Sequence, residues 1–383
     1  MDRNRILIVT EALEMNGVLR SLLDFMEAMD KERYEIDLFC FDAFQPAFVK
    51  LPSYVHVLPE DPWCYMARAP LARIVGWAMR HLAVVPLCRR LLVSAFQKHF
   101  PRWFVKQDLA KRARRMAERY DVACAYSMGM TWRFVAEKVV ARKKLMWLDT
   151  DIHYEPWASF WRKYSPCLAE AAALVCVGEG IAAGVRAEHG EIGSMVKVIH
   201  NVVNADVILE QGKAALEFPK NGRFRIVTVG RYCHPKNQVM IPLVANELRK
   251  RGFADFEWIM AGTGSHLYRT EDPNLIYLDA LMNPMPLMKS ADLYVQPSIY
   301  EGWGLSLTEA MVLGRYVIAS DIPAFREQVL DDKEGLLVPC SPEPFAEAIM
   351  KFVHNPVVVD ASSILQRFGF DTVRKEFENV LGE

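Results

Sequence analysis

Short apolar, β-branched runs alternate with longer segments of helical periodicity along almost the whole of this chain. That alternation restricts the fold to α/β class, with parallel sheets covered by helices on both faces. In the first half the candidate strands are 6–10, 35–41, 55–58, 122–125, 145–148, 174–177 and 196–199. A helix is expected over 18–29, where Leu19, Leu22, Leu23 and Met26 recur at helical spacing. The series begins afresh at 225–229 and continues through 258–261, 276–278, 293–295, 317–319 and 336–338. With 383 residues the chain exceeds one typical core, and the restart marks where it divides. The expected parts are a domain over 1–203, a linker over 204–222, a second domain over 223–365 and a closing helix over 366–383. Two doubly wound domains facing across a cleft would bind ligands at the carboxyl ends of their strands.

Bulk properties remove several classes. A formal net charge of -1 gives no general reason to expect nucleic acid. The eight cysteines are scattered, with no CxxC and no Cys/His metal spacing. The apolar run near Met1 is too short for a signal peptide, and no apolar stretch is long enough to span a bilayer. The expected compartment is therefore reducing, the cytoplasm.

Chemistry concentrates at three strand ends. Gln296-Pro297-Ser298-Ile299-Tyr300-Glu301-Gly302-Trp303-Gly304-Leu305 leads from a strand through two glycines to a helix expected to start near Ser306. Glycine admits a ligand close to the backbone. A helix start offers unpaired N–H groups and a partial positive charge, about 0.3–1 kcal/mol to an exposed anion. Gly230-Arg231-Tyr232-Cys233-His234-Pro235-Lys236 also follows a strand, so the Arg231 fork and the Lys236 point charge would emerge at the same edge to neutralise phosphate. His234 between them reads as a loop residue rather than a catalyst. Gly262-Thr263-Gly264 ends a third strand, a weak signal alone. Ser306-Leu307-Thr308-Glu309 also spells a capping box, which would leave Glu309 with only a structural task.

Taken together, these stretches resemble retaining glycosyltransferase family 4. Glu301 and Glu309 within EGWGLSLTEAMVLG look like its E-x7-E signature, and Gly230 to Lys236 is similar to its pyrophosphate clamp. The likeness extends through Ala319-Ser320-Asp321-Ile322-Pro323, Glu327 and Gly335-Leu336-Leu337-Val338, covering roughly 224–340 well. It implies the GT-B fold of two Rossmann-like domains. It also implies transfer of a sugar from a nucleoside-diphosphate donor, uridine by family prevalence, to a glycan or lipid-linked acceptor with retention. Arg231 and Lys236 would hold the diphosphate, Glu301 would face the sugar and Glu309 would accept from the ribose hydroxyls. Gly230, Gly262, Gly264, Gly302, Trp303, Gly304 and Leu305 would line the donor. The family works without a metal as a rule, so neither metal nor cofactor is expected.

The first half matches loosely. Asn16 and Gly17 stand where the family carries Gly-Gly beside donor or acceptor, and His153 with Asp149 and Asp151 stands in its acceptor-side segment. Asp149-Thr150-Asp151 spells a metal motif by letter, but in the acceptor half. Each of these aspartates equally suits a turn cap, and no general base is assigned. His200-Asn201-Val202-Val203-Asn204 is similar to the family's hinge segment, without its Gly and Asp.

From 63 to 119 there are 13 Lys or Arg against two acids, Asp108 and Glu118, with aromatics interleaved. Ile74, Trp77, Ala78, Leu82 and Val85 fall on one helical face ending at Pro86. Such a basic amphipathic insertion suits an anionic membrane surface, with localisation at its inner face, and suits nucleic acid less. Packing on the first domain is the plain alternative. Two other functions stay open: a sugar-nucleotide epimerase of the same fold, and a non-catalytic membrane-surface partner of another transferase.

Overall fold

The computed structural model describes residues 3–13, 17–42, 50–95, 111–216 and 218–382. Seven strands form the first sheet: β1 (Asn4–Ala12), β2 (Tyr34–Asp42), β3 (Val55–Val57), β4 (Arg119–Ala125), β5 (Val140–Leu148), β6 (Ala173–Cys176) and β7 (Val196–Val198). Six form the second: β8 (Phe224–Val229), β9 (Phe256–Ala261), β10 (Leu275–Leu278), β11 (Leu293–Gln296), β12 (Val317–Ser320) and β13 (Gly335–Val338). The orders are β3-β2-β1-β4-β5-β6-β7 and β10-β9-β8-β11-β12-β13. Every pairing is parallel, β1 against both β2 and β4, and β8 against both β9 and β11. Each sheet therefore repeats the doubly wound order and reverses direction once, between β1 and β4 and between β8 and β11. β6, β9, β11 and β12 are buried along their whole length, as strands covered on both faces must be.

The chain divides into two compact units. The first comprises Met1–Val177, Val185–Ile199 and Glu376–Glu383; the second comprises Gly178–Gly184 and His200–Lys375. In the first, the helix Gly17–Ala28 turns Leu19, Leu22, Phe25 and Met26 inward. Phe25 meets Trp147 at 5.1 Å and Phe377 at 5.3 Å.

The stretch 204–222 contains structure of its own. Asn204 caps the helix Ala205–Gln211 by accepting from the Val207 amide at 3.3 Å. Further on, buried Arg225 takes the carbonyls of Phe218 and Pro219, each at 2.9 Å, and pairs with Glu257 at 2.6 Å. The expected closing helix is two helices, Ser362–Phe368 and Phe370–Leu381. They break at Gly369, where a Cβ would lie 2.4 Å from the Leu365 carbonyl.

The basic insertion departs from its expected form. Its described part makes the helices Pro62–Arg68, Leu71–Arg80 and Val84–Ala95, and 96–110 lies outside the described residues. The face expected to run unbroken to Pro86 ends at Arg80. Leu82 turns the chain with φ 51°, and Pro86 sits in the first turn of the next helix, where its missing N–H breaks no helix bond. Ile74 and Ala78 are core residues. Trp77 stacks on Tyr65 at 4.3 Å and on His81 at 4.1 Å, and donates to Glu60 at 2.6 Å. Leu82 and Val85, expected on that same face, are exposed instead.

Candidate functional site

The loops after β8 and β11 leave the second sheet at its reversal point, and backbone bonding holds them together: the Ile299 amide donates to the Pro235 carbonyl at 2.8 Å. Lys236 Nζ lies 2.6 Å from Glu301 Oε1, and the Ser298 hydroxyl donates to the same oxygen at 2.7 Å. Ser298 accepts in turn from Gln296 Nε2 at 2.9 Å, and Tyr294 donates to Gln296 Oε1 at 2.9 Å. A buried relay thus runs from the middle of β11 to the Glu301 carboxylate. Burial pushes the Tyr294 phenol up, and the charges of Glu309 and Glu301 act in the same direction. The Lys236 stem runs over Gly230, whose absent Cβ would sit 3.6 Å from Cδ and Cε. Arg231 is exposed and forms no ion pair among the described residues.

Gly262 has a structural reason of its own. A Cβ there would lie 1.9 Å from the Gly230 carbonyl, because the loops after β8 and β9 continue to pair, with Tyr232 N donating to Thr263 O at 2.9 Å. Gly264 turns the chain with φ 89°. Gln238, fully buried, holds the Arg231 carbonyl at 2.8 Å.

The capping-box reading of Ser306 and Glu309 is overturned. The helix is Leu305–Val312, its N-cap is Gly304 at φ 97°, and no side chain caps it. Ser306 lies inside the first turn, and Glu309 sits in the second, 5% exposed. Gly304 is required twice, by its φ and by Phe325, whose ring would lie 2.6 Å from a Cβ. The amides of Gly302, Trp303, Gly304 and Leu305 have no acceptor among the described residues. Trp303 is buried, its carbonyl accepting from Gln328 Nε2 at 2.6 Å while its indole N–H has no partner among the described residues.

In the first unit the expected residues stand at the start of the first helix and after β5. Gly17 opens the helix Gly17–Ala28, and Asn16 lies outside the described residues. Asp149 follows β5, and burial raises its carboxyl to about 6, with Glu11 adding to the effect and backbone bonds opposing it. Asp149 also acts on the buried Tyr126 phenol, which bonds Ser21 at 2.8 Å. Asp151 and Glu188 hold the two ring nitrogens of His153, at 2.5 and 3.1 Å. Burial alone would lower that imidazole, but the two carboxylates outweigh it and raise its pKa. Among the described residues no group of three His, Cys, Asp or Glu could hold a metal ion.

Sequence reasoning missed the Tyr294-Gln296-Ser298 relay and the work of Glu327. Glu327 accepts from the amides of Glu179 and Gly180, at 2.8 and 2.5 Å, and lies 3.4 Å from His200 Nε2. The one available signal was an unbroken polar alternation, Tyr-x-Gln-x-Ser, in an otherwise apolar strand end.

Comparison with known proteins gives this arrangement a context. Residues 223–355 match the family described as "Glycosyl transferases group 1". Phosphatidyl-myo-inositol mannosyltransferase of Mycobacterium leprae is 28% identical over 203 residues, 49% of this chain and 54% of that protein. The Mycolicibacterium smegmatis protein of the same name is 32% identical over 177 residues, 43% of this chain and 46% of its own. The chain spans about half the length of these curated relatives. HepE of Anabaena, solved in complex with UDP-glucose, shares the fold at a TM-score of 0.67 with 16% identity, covering 99% of each chain. The two parallel sheets are those of the GT-B fold, and residues 223–355 carry the likeness to the glycosyl transferases group 1 family.

Proposed function

We propose that this protein is a retaining glycosyltransferase that moves a sugar from a nucleoside diphosphate, uridine diphosphate by preference, to a glycan or lipid-linked acceptor. The observation that carries the reading is the meeting of Lys236, Glu301 and Ser298 in the loop whose amides at 302–305 have no acceptor among the described residues. Lys236 is held in place by a carboxylate, so little ordering is needed when a diphosphate arrives. Arg231 adds an exposed guanidinium, and together the two cations would stabilise charge growing on the departing phosphate. Glu301, bound on Oε1, keeps Oε2 for sugar hydroxyls, and Glu309 is assigned the ribose. Gly17 is assigned to the donor, His153 to the reacting hydroxyl, and Asn16, Asp149 and Asp151 to the acceptor side.

The relatives named phosphatidyl-myo-inositol mannosyltransferase support a lipid-linked acceptor, and such an acceptor would bring the protein to the inner face of a membrane. The test is a panel of nucleotide sugars with a phosphatidylinositol acceptor, with product anomers assigned by NMR. Transfer with retention is expected. Interconversion of donor with no acceptor present would replace this reading by an epimerase, and inverted product would remove the retaining assignment.

A further inference from the structure

The densest run of exposed large apolar side chains among the described residues falls in one helical hairpin of the first unit. Met79 is 68% exposed at the end of the helix Leu71–Arg80, and Leu82 is 86% exposed at the turn. On the helix Val84–Ala95, Val84, Val85, Leu91 and Leu92 are exposed at i, i+1, i+7 and i+8, one continuous stripe. Soluble surfaces rarely gather apolar side chains this way without a partner.

The charge around the stripe identifies that partner. Between Asp61 and Asp108 the sequence has no acidic residue, while it carries eight Lys or Arg. Arg80 is exposed beside Met79 and makes no ion pair among the described residues. Arg90 lies on the opposite side of the helix Val84–Ala95, about one helix diameter, or 10 Å, from the stripe. It is 8% exposed, and its Nε and Nη1 are buried without a partner among the described residues. Arg68 and Arg73 are paired with Glu11 and Asp42, so among the described residues it is Arg80 that sets exposed positive charge beside the apolar face. A protein partner would need an acidic rim around an apolar centre. An anionic lipid layer supplies both at once, head-group charge above acyl chains.

We propose that the turn at Leu82 and the stripe from Val84 to Leu92 enter the head-group region of an anionic lipid surface and dock the protein there. The inference deepens the lipid-acceptor reading above by naming the element that meets the membrane. It also divides the expected face: Ile74 and Ala78 are spent on the core, while Leu82 and Val85 meet lipid.

The test is flotation of the full chain with vesicles of equimolar phosphatidylglycerol and phosphatidylcholine, in the absence of any nucleotide sugar. Wild type should float, and Leu82→Asp or Leu92→Asp should lower the partition constant about tenfold or more. Arg80→Glu should weaken binding to the anionic vesicles several-fold and leave pure phosphatidylcholine unaffected. Melting curves and calorimetric UDP affinity should match wild type in all three, because these side chains face solvent. Undiminished flotation of the aspartate variants would overturn the proposal. So would failure of wild type to float, or a concentration-dependent dimer dispersed by Leu82→Asp. Flotation without any sugar transfer would sink the acceptor reading alone. Transfer to a water-soluble acceptor without flotation would sink this inference alone.

Discussion

A carboxyl held at about 6 costs the folded protein stability at neutral pH, and Asp149 makes that cost measurable. Its ordinary value is 3.8, so the folded state binds the proton more tightly than the unfolded one. The resulting stabilisation is complete below the unfolded value and is lost as pH rises through about 6. Each pKa unit corresponds to 1.36 kcal/mol, which makes the loss about 3 kcal/mol by pH 7. Asparagine has nearly the same shape, can still accept the Met128 backbone bond, and does not titrate. Asp149→Asn should therefore stabilise the protein by up to about 3 kcal/mol at pH 7. In a unit of this size that is about 6–12 °C in Tm. The advantage should shrink towards zero near pH 4, where the wild-type carboxyl is already neutral. Melts followed by tryptophan fluorescence at several pH values between these limits measure the difference directly. A variant no more stable than wild type at pH 7, or a gain that does not change with pH, would refute the reasoning. A gain in stability accompanied by a loss of transfer would mark Asp149 as a group kept for its chemistry.

Replacing Arg231 with Ala should lower turnover at least tenfold with an unchanged melting curve, since its side chain is exposed and forms no ion pair among the described residues. Lys236→Ala should lower turnover as much and also cost about 1–3 kcal/mol, read from urea unfolding, because it strips the Glu301 carboxylate of its cation. Activity should persist in excess EDTA, and rescue of a chelated enzyme by magnesium or manganese would contradict the cationic clamp. Glu309→Gln should weaken nucleoside diphosphate binding about tenfold by calorimetry, the equivalent of 1.4 kcal/mol; unchanged affinity would remove the ribose assignment.

All thirteen strands were legible because parallel strands buried on both faces are written as nearly unbroken apolar runs. Their carboxyl ends were placed well, and some amino ends were not. β5 starts five residues before its apolar run, through Arg142, Lys143 and Lys144, and β4 starts through Arg119 and Asp121. There the strand emerges into solvent and polar side chains disguise it. The loops after β8 and β11 could be paired from sequence, because strand order alone brings them to one edge. The relay below Glu301 could not, since it depends on side chains two apart pointing into the same buried space. The Ser-x-x-Glu pattern misled because it satisfies a capping rule locally, whereas Gly304, fixed by its φ and by Phe325, is the N-cap two residues before Ser306. The basic hairpin misled for a related reason. Both faces of Leu71–Arg80 are apolar, and periodicity does not say which one the core takes.

The position of Phe377 also bears on how the molecule is made. It packs against Phe25 at 5.3 Å and Tyr34 at 6.0 Å, both in the first unit, although about 180 residues of the second unit separate it from β7. Ribosomes add about 5–20 residues per second, and domains fold in the order they emerge. The first sheet is therefore finished about 10–40 s before the aromatic ring that seals it is synthesised. Through that interval Phe25 and Tyr34 present an open apolar notch, a natural target for a chaperone on the nascent chain.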